Sequence, residues 1–171
     1  MPWRSLIAIC CFGKAPQDLP ASRGVWLSAV LSYVLGSFLL TAISQDPAVS
    51  IISALLDTAL LSLLTSTTLG VRGLSSRSLQ TTTALFGTGF IFTLVAIPLS
   101  LLMSSLPEAS AAVFPLFLFV ISLLLWNIGV MAHILRHALS SSMFVGVLLA
   151  FFFVLVTTMV VTSLFPTTTL Q

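Results

Sequence analysis

Five long apolar blocks dictate what this chain can fold into. They cover residues 24–43, 49–69, 79–103, 110–135 and 143–165, and across all of them the only acidic residue set well inside a block is Asp57. A hydrocarbon core of about 30 Å is crossed by roughly 20 helical residues rising about 1.5 Å each. Every block is long enough. Backbone groups in lipid must be satisfied within their own segment, so the blocks are helices unless they close into a barrel. They lack the period-two alternation of barrel strands.

Composition closes off the soluble alternative. Of 171 residues, 58% are hydrophobic and 6% charged, whereas a soluble domain carries roughly a quarter charged residues. The fold expected is therefore all-α, an integral membrane bundle of about five transmembrane helices with the lipid bilayer as its first partner. Residues 1–23 form a cytoplasmic or interfacial N-terminal segment, 24–165 the transmembrane domain and 166–171 a short tail on the opposite side.

Helix punctuation agrees with these limits. Asp46-Pro47 supplies an N-cap and a first-turn proline for the second span, and Gly70 and Gly73 stand at its end. Ser105, Pro107 and Glu108 open the fourth span, and Ser140 to Ser142 the fifth. Pro98 and Pro115 fall inside spans, where a proline kinks the helix or frees a carbonyl.

Loop charges set the orientation. Arg4, Lys14 and Arg23 precede the first span, Arg72 and Arg77 follow the second, and Arg136 lies between the fourth and fifth. The other loops hold Asp46 and Glu108 without a basic residue. All six basic residues thus fall on one side, which the positive-inside rule makes cytoplasmic, with the C-terminus opposite. A cleaved signal is not expected: no small-x-small site follows residues 6–12, and Lys14, Pro16 and Asp18 interrupt at once. The N-terminal stretch reads as an interfacial segment with Trp3 and Arg4 at the headgroups. A net charge of +2 with scattered basic residues excludes a nucleic-acid footprint.

Few residues carry chemistry. Asp57 sits near the middle of its span, where insertion costs about 2.5–3.5 kcal/mol. Helical spacing puts Ser50, Ser53 and Asp57 on one face, with Thr65 and Thr68 further along. Two readings stand: a titrating site on a proton or ion pathway, or a hydrogen-bonded carboxyl locking two spans together. Trp126, Gly129, His133 and His137 share a face near the end of the fourth span, beside Asn127 and Arg136. The histidines have the i, i+4 spacing of metal ligands, but no third ligand accompanies them. A cytoplasmic interface, with imidazoles and Arg136 at the headgroups, is the expected role. Cys10 and Cys11, as neighbours, suit neither a mutual disulfide nor a zinc site. No metal or other cofactor is expected. Small residues recur at Ser28, Ser32 and Gly36 and at Ser142, Gly146 and Ala150, and Gly87 and Gly89 flank Thr88. These permit close helix approach. No serine pairs with a histidine and carboxylate in a catalytic order, so an enzyme is not expected.

One resemblance follows from particular phrases. The stretch Pro16-Gln17-Asp18-Leu19-Pro20-Ala21-Ser22-Arg23 leads into the first span. The run 125–139, Leu-Trp-Asn-Ile-Gly-Val-Met-Ala-His-Ile-Leu-Arg-His-Ala-Leu, precedes a final span ending Leu164-Phe165-Pro166. With five spans in so short a chain, this resembles bacterial membrane proteins of the Yip-domain (Ypt-interacting protein) family. Eukaryotic members are linked to Rab-type GTPases and vesicle traffic, and the family has no catalytic motif to transfer. The long soluble N-terminal region of those forms has no counterpart here, so the GTPase link does not carry over. The resemblance implies a non-enzymatic interaction or organising component of the cell inner membrane, working with a membrane-protein partner or a second copy. The rival expectation is a small transporter or channel subunit that uses Asp57.

Overall fold

The computed structural model describes residues 2–107 and 110–165, so Glu108 and the 166–171 tail lie outside the described residues. Among those described, the regular elements are all helical: α1 Pro2–Cys10, α2 Arg23–Thr41, α3 Pro47–Val71, α4 Ser78–Ser105, α5 Val113–Ala138 and α6 Met143–Leu164. Short 3-10 turns occupy Pro16–Asp18 and Ser75–Arg77. Five of the helices, α2 to α6, are long and apolar enough to cross a membrane. The chain is a multi-pass α-helical membrane protein.

The expected punctuation holds in detail at α3. Asp46 Oδ1 accepts the Ala48 N–H at 2.8 Å with Pro47 in the first turn, a cap worth about 1 kcal/mol. At the far end Gly73 has φ +69°, and the Leu74 N–H reaches back to the Leu69 carbonyl. That is a Schellman closure with glycine in the left-handed position. The fourth span begins later than expected. Ser105 ends α4, and α5 starts at Val113, which puts Pro115 in the first turn, where no intrahelical partner for its missing N–H is required. Pro98 lies inside α4 as read.

The five spans close into a ring in the order α2, α4, α5, α6, α3, with a further contact between α3 and α4, and α1 packs on α4 and α5. Residues 81–88 of α4 are all buried, including Phe86 at 0% exposure, so this stretch is enclosed on every face. Outer faces carry the lipid-facing residues, such as Leu27, Leu31, Leu35 and Leu39 along one ridge of α2.

The loops with basic residues meet at one end of the bundle. Arg77 donates to the Ala138 carbonyl at 3.1 Å and to Ser140 Oγ at 2.9 Å, and Gln80 donates to the Leu19 carbonyl at 2.7 Å. The α3–α4 loop, the α5–α6 loop and the N-terminal segment are thus fastened together.

Candidate functional site: a hydroxyl-lined vestibule around Asp57

The site is built from the middle of the bundle outward. Asp57, on α3, accepts a hydrogen bond from the Tyr33 hydroxyl of α2 at 2.6 Å through Oδ2. Tyr33 reaches it because its ring lies on Gly89 of α4, where an added Cβ would come within 2.6 Å of the ring carbons. Any side chain there would push the phenol away. The neighbouring Gly87 seats Leu6 of α1 in the same manner. The Gly87-Thr88-Gly89 run therefore serves close approach on two sides of α4.

Beyond the Tyr33–Asp57 pair lies a cavity of about 420 Å³, bounded by all five spans. Its lining includes Ser37 and Thr41 of α2, Ser53 and Asp57 of α3, Thr93 of α4 and Thr157, Thr158 and Thr162 of α6. These residues occupy the second half of α2 and α6 and the first half of α3. The cavity therefore extends from Asp57 toward the end opposite the basic loops. Ser53 is 3% exposed, and its Oγ has no hydrogen-bond partner among the described residues. Asp57 itself is half-buried. Toward the basic end, Phe86, Leu61 and Thr65 are buried and fill the interior.

The remaining candidates sit elsewhere. Ser50 is fully buried about two turns from Asp57, but its hydroxyl bonds back to the Asp46 carbonyl at 2.9 Å. Asn127 is half-buried on α5 and outside the vestibule lining. His133 is 4% exposed, where an imidazole at the headgroups was expected. The N-terminal segment covers it: His133 Nε2 donates to the Lys14 carbonyl at 3.0 Å, since a carbonyl can only accept. The Phe12 ring packs edge-on against the imidazole with centroids 5.3 Å apart.

The whole α5 face of Trp126, Gly129, His133 and His137 serves this docking. Trp126 Nε1 donates to the Cys10 carbonyl at 3.0 Å, Gly129 faces the Phe12 ring, and Gln17 donates to the His137 carbonyl at 2.8 Å. The two histidines contact each other with centroids 4.6 Å apart, and an Arg136 guanidinium nitrogen lies 3.2 Å from His137 Nε2. Among the described residues, no group of three His, Cys, Asp or Glu side chains converges as a metal site.

Tyr33 is the residue of the candidate site that sequence reasoning missed, together with the threonines of α4 and α6. Tyr33 is the only tyrosine in the chain, and a lone phenol within a span was the available signal. Which spans face one another is not encoded locally, so its pairing with Asp57 had no counterpart in the pattern. No protein family, no curated protein and no solved structure matches this chain.

Proposed function

We propose that this chain is a small transport component of a bacterial inner membrane, in which Asp57 takes up a proton or a small cation from the non-cytoplasmic side. The observation that carries the reading is the vestibule: the lone intramembrane carboxyl lies at the inner end of a hydroxyl-lined cavity. A carboxyl needed only to pin two helices has no use for a cavity beside it whose apolar walls are interrupted by the hydroxyls of Ser37, Thr41, Ser53, Thr93 and Thr157. Intramembrane ionisable residues that face such cavities mark substrate and ion pathways. Orientation follows from the basic loops, which the positive-inside rule assigns to the cytoplasm. The filled interior on that side suits a carrier with one-sided access better than a continuous pore. The reading is non-enzymatic.

The test is flux through the purified protein in liposomes, followed with a pH-sensitive dye under an imposed potential and in sodium- or potassium-loaded vesicles. Wild-type protein is expected to dissipate the gradient, and Asp57→Asn to lose that activity with unchanged helix content. An Asp57→Asn variant as active as wild type sinks the reading. So does wild-type protein indistinguishable from empty liposomes.

A second reading is favoured by the Tyr33–Asp57 bond itself. If that bond exists to join α2 to α3, the chain is an interaction or organising component of the Yip type, acting with a membrane-protein partner or a second copy. Asp57→Asn then impairs assembly, seen as loss of a crosslinked partner from native membranes, with no flux to lose.

A further inference from the structure

We infer that the solute of the vestibule is a small primary ammonium compound, with one positive charge and several N–H donors on a short hydrocarbon skeleton. This rests on the reading of the vestibule as a cation-uptake site and narrows its substrate class.

Thr41 donates its hydroxyl proton to the Ser37 carbonyl at 2.9 Å, Thr93 to Gly89 at 2.9 Å, Thr157 to Phe153 at 3.0 Å and Thr162 to Thr158 at 2.8 Å. Backbone carbonyls cannot donate, so each of these protons is committed to its own helix. What the threonines offer the cavity is lone pairs. Asp57 adds an acceptor of formal charge −1 when ionised, with Oδ2 already receiving the Tyr33 proton. Ser53 Oγ, buried and unpartnered, is free to turn either way, and the Ser37 and Thr158 hydroxyls of the lining are likewise not tied to a backbone carbonyl. Four of the seven serine and threonine hydroxyls of the lining therefore face the cavity as acceptors only, and with the Asp57 carboxylate they favour a ligand that brings N–H donors over an anion.

Shape and polarity separate an organic cation from an inorganic one. A hard metal cation draws about six or more oxygens onto one point, usually with several carboxylates. Here one carboxylate is present, and the hydroxyls are staggered from the level of Tyr33 to that of Thr41, a rise of about 12 Å along α2. Between them stand apolar walls from Leu40, Leu124 and Val161. Such walls suit alkyl carbons and penalise a hydrated ion. The volume of about 420 Å³ lies within the roughly 300–1,000 Å³ usual for small-molecule pockets.

The uniqueness of Tyr33 supplies the readout. Full-length protein labelled with 3-fluorotyrosine, in lipid nanodiscs, gives one fluorine resonance, located at the Asp57 bond. Butylammonium is expected to shift it saturably. Tetramethylammonium, with the same charge and no N–H, is expected to act at least tenfold more weakly, because a site built to accept hydrogen bonds discriminates strongly against a ligand lacking donors. Sodium and potassium at equal ionic strength are expected to leave it in place. Asp57→Asn should abolish the butylammonium response. Ser53→Ala and Thr157→Val should weaken it several-fold without moving the ligand-free resonance, and they carry the test should Asp57→Asn fail to fold.

Two results overturn the inference: no saturable shift with butylammonium, or tetramethylammonium acting as strongly. A saturable, Asp57-dependent shift with sodium alone also overturns it, yet leaves cation uptake standing. Absence of any shift together with absence of flux removes both.

Discussion

Cys10 and Cys11 are adjacent in the chain and occupy different environments. Cys10 is 7% exposed, packed where α1 meets α4 and α5, while Cys11 is exposed. Burial pushes the Cys10 thiol up to about 11, with the neighbouring Cys11 sulfur adding to the effect. The raised value favours the neutral thiol, so the nucleophilic thiolate is scarce until the pH approaches that value. A water-soluble maleimide at pH 7–8 is expected to label Cys11→Ser slowly and Cys10→Ser quickly, with the difference abolished by denaturant. Equal rates would show that α1 is not docked. At the same scale, Asp57 was legible because a lone carboxylate stands out against an apolar span. The vestibule around it was not. Thr157 and Thr162 are ordinary residues of a span, and they become a lining only because α6 turns that side toward α3. Ser50 illustrates the converse: its helical register with Asp57 is as read, yet its hydroxyl is committed to the Asp46 carbonyl.

Among the elements, α6 shows how a stripe of small residues decides packing. Gly146, Ala150, Phe153 and Thr157 form its buried line, and the first two were evident from their four-residue spacing. A Cβ on Gly146 would run into the Ala132 carbonyl oxygen of α5. Gly146→Ala gains about 0.5–1 kcal/mol of helix propensity. Over-packing costs typically 1–3 kcal/mol, and here the obstacle is backbone that cannot rotate aside. The variant is expected to unfold about 1–2 kcal/mol more easily in the same detergent, whereas a stabilised variant would mean that α5 and α6 can separate freely. The other anticipated stripe behaves differently: in α2 the buried positions are Ala29 and Gly36, while Ser28 is exposed. The end of α1 was also beyond sequence reasoning. Phe12 takes a left-handed φ of 60° in a Schellman turn that closes from Gly13 N–H to the Ala8 carbonyl, a position usually given to glycine. Its ring contacts with His133 and Gly129 account for a phenylalanine there.

For the whole molecule, the number of spans followed from length and hydropathy, and the gathering of basic loops at one end followed from their charges. The order of the spans around the ring did not follow, because each span is apolar on nearly every side and no single chain marks which side meets a neighbour. The buried band at 81–88, which marks the first half of α4 as enclosed, is visible only in three dimensions. The docking of α1 on α4 and α5 has a consequence for biosynthesis. This amphipathic helix leaves the ribosome before α4 and α5, yet Leu6 needs Gly87 and the Cys10 carbonyl needs Trp126. A ribosome-bound chain ending before α5 is therefore expected to expose Cys10 to maleimide, and one extended past α6 to protect it. Early protection would mean that the lipid surface alone shelters α1. Until the fourth span arrives, α1 waits at the membrane surface for a seat that has yet to be synthesised.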